Sequence, residues 1–185
     1  MGAIGQCSVV RPTSDVRADL VLGRAEPESQ VHPPRQALIL PVYLVDTNVI
    51  SAGAPSRRAS AADLAGWMEE HSEDIYVSVV TVAEVEHGIA KARREKATRK
   101  AHDLAAWLET RLHLYQTRIL AFDVAAARIA GFLSDLARGR GAAPAFADIL
   151  IAATARSRGL IVLTRNTRHF EPLGVRALNP FERLP

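Results

Sequence analysis

From Val42 onward, short β-branched runs alternate with longer stretches whose apolar positions recur at helical spacing. Val42–Val45 is an apolar run of strand-forming residues that stops abruptly at Asp46. Ser56 or Ser60 can cap a helix that runs through Trp67 and Met68 to about His71. Ile75–Val80 is a second β-branched run and reads as a strand. Val82, Val85 and Ile89 then predict a helix from Thr81 to about Arg94. A further helix is expected over Ala97–Tyr115, with Leu104, Leu108 and Leu112 on one face. Ile119–Phe122 reads as a short strand. Asp123 caps a helix whose apolar face includes Val124, Ile129, Phe132 and Leu136, closed by Gly139 and Gly141. Phe146–Arg158 is helical and ends at Gly159. Leu160–Leu163 is a buried strand, and Gly174–Leu178 a last edge strand.

Strands alternating with helices imply an α/β fold with a parallel sheet covered on both faces. Right-handed crossovers bring the start of each helix that follows a strand to the strands' carboxyl edge. Open α/β sheets build their ligand sites there. Residues 1–41 lack this order: they mix Pro, Arg, Glu, Ser and Gln, and Pro12, Pro27, Pro33 and Pro34 interrupt any long helix. We expect a poorly ordered N-terminal extension, with Ala37–Leu40 leading towards the first strand, and a domain over 42–185.

Three acids fall at the edge this topology singles out. Asp46 follows its strand directly, where it can hold a metal ion, act as a nucleophile or simply cap a turn. Thr81-Val82-Ala83-Glu84 matches a capping box, which would fix Glu84 in the first turn of the helix after strand two. Asp148 lies in the first turn of its helix, among Ala145, Phe146, Ala147, Ile149, Leu150 and Ile151. A carboxylate in such company needs a partner or becomes neutral. Together, three carboxylates at one edge repel each other unless a cation sits between them. Oxygen donors without His or Cys favour a hard ion, Mg²⁺ or Mn²⁺. Such an ion lowers the pKa of a bound water and clamps a phosphate oxygen, so a phosphodiester is the natural substrate.

Polar residues after the Leu160–Leu163 strand reach the same edge. Thr164 and Asn166 could bind a metal-bound water or phosphate, and Arg165 or Arg168 a flanking phosphate. Lys91, Arg93, Arg94, Lys96, Arg99 and Lys100 form a dense basic run between two helices, either a solvated connection or a contact to a phosphate backbone. No aromatic residue interleaves with it, so base stacking is not indicated there. Trp67, Trp107 and Tyr115 sit on apolar helix faces and are expected in the core or an interface rather than as base platforms.

Composition narrows the class without choosing a function. The chain has 185 residues, 48% hydrophobic and 23% charged, enough for one sizeable core. A net charge of +3 permits a nucleic-acid partner without demanding one. Cys7 is the only cysteine, which excludes an intrachain disulfide and a cysteine zinc cluster. No apolar run reaches the ~18 residues of a membrane span, and no signal-peptide core is visible, so a cytoplasmic location is expected.

Val-Asp-Thr-Asn at 45–48, Thr81-Val82-Ala83-Glu84, Asp148-Ile149-Leu150-Ile151-Ala152-Ala153-Thr154-Ala155 and Thr164-Arg165-Asn166 occur in this order. In this the chain resembles the PIN-domain ribonucleases, and within them the VapC-type toxins with their FitB-like branch. The ending Phe170-Glu171, Gly174-Val175 and Asn179-Pro180-Phe181 is similar to that branch. The resemblance implies a three-layer α/β/α sandwich around a central parallel sheet, Mg²⁺-dependent endoribonuclease activity, a homodimer, and inhibition by a co-expressed antitoxin. Carried over by motif, Asp46, Glu84 and Asp148 would form the acidic triad, with Asp46 and Asp148 as principal metal ligands and Glu84 acting on the attacking water. Asn48, Thr164 and Asn166 would support them, and Arg165 and Arg168 would contact RNA. Many members carry a further acid after strand four, where this chain offers Asn166 and His169; that departure puts a second metal in doubt. Members usually begin just before the first strand, so residues 1–41 could be an artefact of gene calling. Two rivals remain. An aspartyl-nucleophile phosphatase using Asp46 would want a second Asp where Asn48 stands. A catalytically silent RNA- or antitoxin-binding module is the other.

Overall fold

The strand Tyr43–Val45 (β1) forms the centre of a five-stranded parallel sheet. The computed structural model describes residues 41–54 and 62–185. After β1 come α1 (Thr47–Ile50) with a 3-10 turn at Ser51–Gly53, α2 (Ala62–Glu70), β2 (Ile75–Ser78), α3 (Val79–Arg94) and α4 (Thr98–Tyr115). The second half holds β3 (Ile119–Leu120), α5 (Val124–Gly139), α6 (Phe146–Arg158), β4 (Ile161–Leu163), α7 (Thr167–Phe170) and β5 (Ala177–Leu178). The expected caps at Ser56 or Ser60, the Ala37–Leu40 lead and residues 1–40 of the extension lie outside the described residues.

The strand order is β3-β2-β1-β4-β5, with every neighbouring pair parallel. Tyr43, Leu44 and Val45 pair with Ile75, Tyr76 and Val77 on one side and with Ile161, Val162 and Leu163 on the other. Period-two alternation along each strand splits the core into two layers. Tyr43, Val45, Ile75, Val77, Ile161 and Leu163 face a cluster completed by residues of α1 to α4, Ile89 and Leu108 among them. Leu44 and Val162 face the opposite cluster, filled by Leu133 of α5, Ile151 of α6 and Phe170 of α7. This is the expected α/β/α sandwich. Trp67, Trp107 and Tyr115 are buried as expected.

Strand β2 and helices α3 and α5 depart most from the sequence reading. Strand β2 stops at Ser78, and α3 begins two residues before Thr81. Ser78 is extended (φ −85°, ψ 146°) and its Oγ accepts from the Val80 N–H at 3.1 Å. A serine cap is worth about 1 kcal/mol, enough to offset the helix penalties of Val79 and Val80, each about half that. The capping box therefore does not form; the Thr81 hydroxyl is buried and donates to the Val45 carbonyl at 3.3 Å. In α5 the buried stripe is Ala126, Ala130, Leu133 and Ala137, while Val124 and Phe132 of the expected face are 72% and 56% exposed. The alanines let α5 lie close against Ala152, Ala153 and Ala155 of α6, which larger side chains would prevent. Phe132 instead carries Arg156, 5.2 Å from its ring centroid.

Candidate functional site

The chain leaves β1 at the point where the strand order reverses, with β2 on one side of β1 and β4 on the other. At such a switch the following segments diverge and leave a crevice beyond the carboxyl ends of the strands. Asp46 stands in that crevice. Its backbone N–H donates to the Leu163 carbonyl at 2.9 Å, which extends the β1–β4 ladder and fixes the Cα. Its side chain caps α1, with Oδ1 accepting from the Thr47 N–H at 2.6 Å. Oδ2 accepts from the Thr164 hydroxyl at 2.7 Å and from Asn48 Nδ2 at 2.5 Å.

Asn48 and Thr164 are themselves held. Asn48 Nδ2 also lies 3.1 Å from Thr164 Oγ1, and Asn48 Oδ1 accepts from the Arg165 N–H at 2.9 Å. Thr164 is fully buried and its Oγ1 accepts from the Asn166 N–H at 3.0 Å. The two polar segments after β1 and β4 are thus laced together around one carboxylate. Thr164 and Asn48 both donate to the Asp46 carboxylate. Among the described residues the Asn166 side chain makes no hydrogen bond; its contribution to the lacing comes from its backbone N–H.

Glu84 lies in the second turn of α3 and reaches back to the crevice, where Oε2 accepts from the Thr47 hydroxyl. Asp148, in the first turn of α6, sets Oδ2 3.1 Å from His169 Nδ1. Phe146 is 72% exposed and Ala145 is exposed as well, yet the Asp148 side chain is only 15% exposed, and the imidazole of His169 is its side-chain partner. The helix turns Phe146 outward, because successive residues point about 100° apart around the axis. Arg165 lays its guanidinium over Phe181, 4.0 Å from the ring centroid, and Arg168 is exposed beside His169 on a shallow depression under Ala142–Ala145.

Asp46 is only 5% exposed, and burial pushes its carboxyl above the ordinary range. The hydrogen bonds from Thr164 and Thr47 oppose that rise, and the charges of Asp148 and Glu84 add to it. Asp148 and Glu84 are therefore close enough for Asp46 to feel both. As the side chains stand, no group of three or more His, Cys, Asp or Glu side chains among the described residues could hold a metal ion. Glu84 is turned to Thr47 and Asp148 to His169, each by one side-chain hydrogen bond. The donor set nevertheless fits a hard divalent cation: carboxylate oxygens at one edge, with a mutual repulsion that a cation would relieve.

Sequence reasoning gives no role to Thr47, although the threonine sits between Asp46 and Asn48 in the first motif. It takes the Ser78 cap as strand interior; a serine ending a β-branched run is the available signal. Of Asn166 and His169, the two candidate positions for a further acid, the structure pairs His169 with Asp148.

The family model for the PIN domain matches residues 43–174. Toxin FitB of Neisseria gonorrhoeae is 36% identical over 141 residues, spanning 76% of this chain and 99% of its own length. VapC ribonuclease Y4jK of Sinorhizobium fredii is 35% identical over 146 residues, spanning 76% and 99%. The crystal structure of FitAcB from Neisseria gonorrhoeae matches with a TM-score of 0.65 and 36% identity, covering 76% of this chain and 99% of that one.

Proposed function

Because this chain belongs to the PIN-domain family, in the branch of VapC- and FitB-type toxins, we propose that it is a divalent-metal-dependent endoribonuclease toxin held in check by a cognate antitoxin. The observation that carries the reading is the buried Asp46, fixed by Thr47, Asn48 and Thr164 and facing the charges of Glu84 and Asp148. The ion is Mg²⁺ or Mn²⁺, since the donors are carboxylate oxygens. When bound, it would supply Lewis acidity and lower the pKa of water at the reacting phosphate.

The chain's own residues do the rest. Asp46 and Asp148 are the principal ligands. Asp46 is preset, because both its oxygens are already oriented by donors on two segments. Asp148, now paired with His169, would be the second ligand. Glu84, now accepting from the Thr47 hydroxyl, would orient the attacking water and take its proton. The three acids leave no carboxylate two residues beyond Asp46; Asn48 spends its amide on Asp46 and Arg165. That use of Asn48 supports hydrolysis by water over an aspartyl-phosphate route.

An active intracellular ribonuclease damages its own host, so control comes from a partner. The anionic crevice suits an arginine or lysine from an antitoxin, as a charge-assisted contact that competes with the cation. The reading is tested in growing cells. Expression of this chain alone should arrest growth, Asp148→Asn should not, and co-expression of the adjacent antitoxin gene should restore growth. Equal growth of cells making soluble wild-type and Asp148→Asn protein would count against a toxin and favour a catalytically silent binding module.

A further inference from the structure

We propose that the groove between α3 and α4, which opens at Glu84, is the track for one arm of a single-stranded RNA substrate, gripped by Lys91, Lys96 and Lys100. The proposal rests on the ribonuclease reading and adds the path of the strand. The groove encloses about 410 Å³, with Thr47 and Glu84 at one end, Gly88 and Lys91 along its wall, and Lys100 and Leu104 at the other. Lys100 and Leu104 also border a second depression, lined by Lys96 and Arg99, so the two adjoin at these side chains.

Glu84, Gly88, Lys91 and Glu95 recur at spacings of four, three and four, which places them on one face of α3. The helical rise sets Lys91 about 10 Å along the axis from Glu84. Between them the wall is bare: a Cβ added at Gly88 would meet nothing within 4 Å. Lys91 and Lys100 are exposed. The only ion pair of Lys91 among the described residues is with Glu95, at 3.9 Å with both side chains more than half exposed. Such a surface pair is held loosely and can be exchanged for a phosphate.

Charge changes sign along the groove, from Glu84 at one end to Lys91, Lys96, Arg99 and Lys100, which outnumber Glu95 and Asp103, towards the other. A strand with its scissile phosphate at the acids and its next phosphates at the lysines matches that order. A protein segment offering a cation to the acids would meet cations at the far end. Lys96 adds an independent observation. It occupies the left-handed position after α3 (φ 58°), in a turn closed by Lys96 N–H to Arg93 and Ala97 N–H to Ala92. Glycine is the usual occupant there; here the position carries a positive charge into the groove's far end. No exposed aromatic lines the track, so the grip is by charge.

The test measures binding of a labelled, mixed-sequence single-stranded RNA, with every protein in an Asp148→Asn background to prevent cutting. Lys91→Gln with Lys100→Gln should weaken binding at least tenfold and lower the slope of log K against log salt by about 1.4, at roughly 0.7 per phosphate contact on a single strand. Gly88→Leu should weaken binding similarly by filling the groove, with a Tm equal to or above that of its background, since leucine favours a helix over glycine. Arg128→Gln on α5 should change neither. Unchanged affinity and salt slope in the lysine and Gly88 variants overturns the proposal while leaving the ribonuclease reading intact. The proposal falls equally if those variants lose only inhibition by the antitoxin, which would assign the groove to a protein. A wild-type chain that neither binds nor cuts RNA refutes the ribonuclease reading itself.

Discussion

At the scale of single residues, the three acids are held in unlike ways, and substitution should separate them. Asp46 accepts on both oxygens from donors that cannot all reverse: a backbone N–H, a hydroxyl and an amide. An amide at 46 would set a donor against one of them whichever way it turned, leaving a buried polar group unpaired at a cost of about 1–3 kcal/mol. An amide at 148 can still accept from His169 through its oxygen. We predict that metal-free Asp148→Asn is at least as stable as wild type, because it removes a charge that Asp46 feels, and that Asp46→Asn is the less stable of the two by about 1–2 kcal/mol. Urea titration at neutral pH measures both. The raised carboxyl of Asp46 also fixes a sign with pH. Its folded form takes up a proton at higher pH than its unfolded form, so the burden of the buried charge is present above that raised pKa. It is relieved as pH falls through the raised pKa towards the ordinary carboxylate value. The Asp46-specific gain on mild acidification should vanish in Asp46→Asn.

At the scale of elements, sequence periodicity locates nearly every helix and strand, and it fails where a local side chain decides a boundary. Ser78 moves the start of α3 by two residues, which takes Glu84 out of a first-turn cap and aims it at Thr47. Whether a helix starts at one serine or the next threonine depends on a hydrogen bond of about 1 kcal/mol, below what hydrophobic spacing resolves. In α5 the pattern of large apolar residues points to Val124 and Phe132, yet close helix packing selects the alanine stripe. The turn after α3 makes the element-scale prediction. Lys96→Gly should stabilise the protein by about 0.5–1 kcal/mol, since a left-handed lysine costs more than glycine's added chain entropy. Thermal unfolding checks it, and a loss of stability would mean that the Lys96 side chain packs rather than projects.

For the whole molecule, the parallel sheet and its covering layers follow from alternation alone, and the switch in strand order between β2 and β4 places the crevice where the acids are expected. What sequence could not supply is the hydrogen bond from Thr164 to Asp46 or the pairing of Asp148 with His169, since both join residues far apart in the chain. Among the described residues no helix is long and apolar enough to cross a membrane. Three carboxylates on three different elements are proposed to form one metal-dependent site for cutting RNA. Cleavage of single-stranded RNA by the purified chain, with Mg²⁺ or Mn²⁺ and with chelator, beside an equally folded Asp148→Asn protein, tests it most directly. Cleavage should need the cation and fall at least a hundredfold in the variant, about 2.7 kcal/mol of transition-state stabilisation; full cleavage by folded Asp148→Asn, or cleavage indifferent to chelator, would rule this site out.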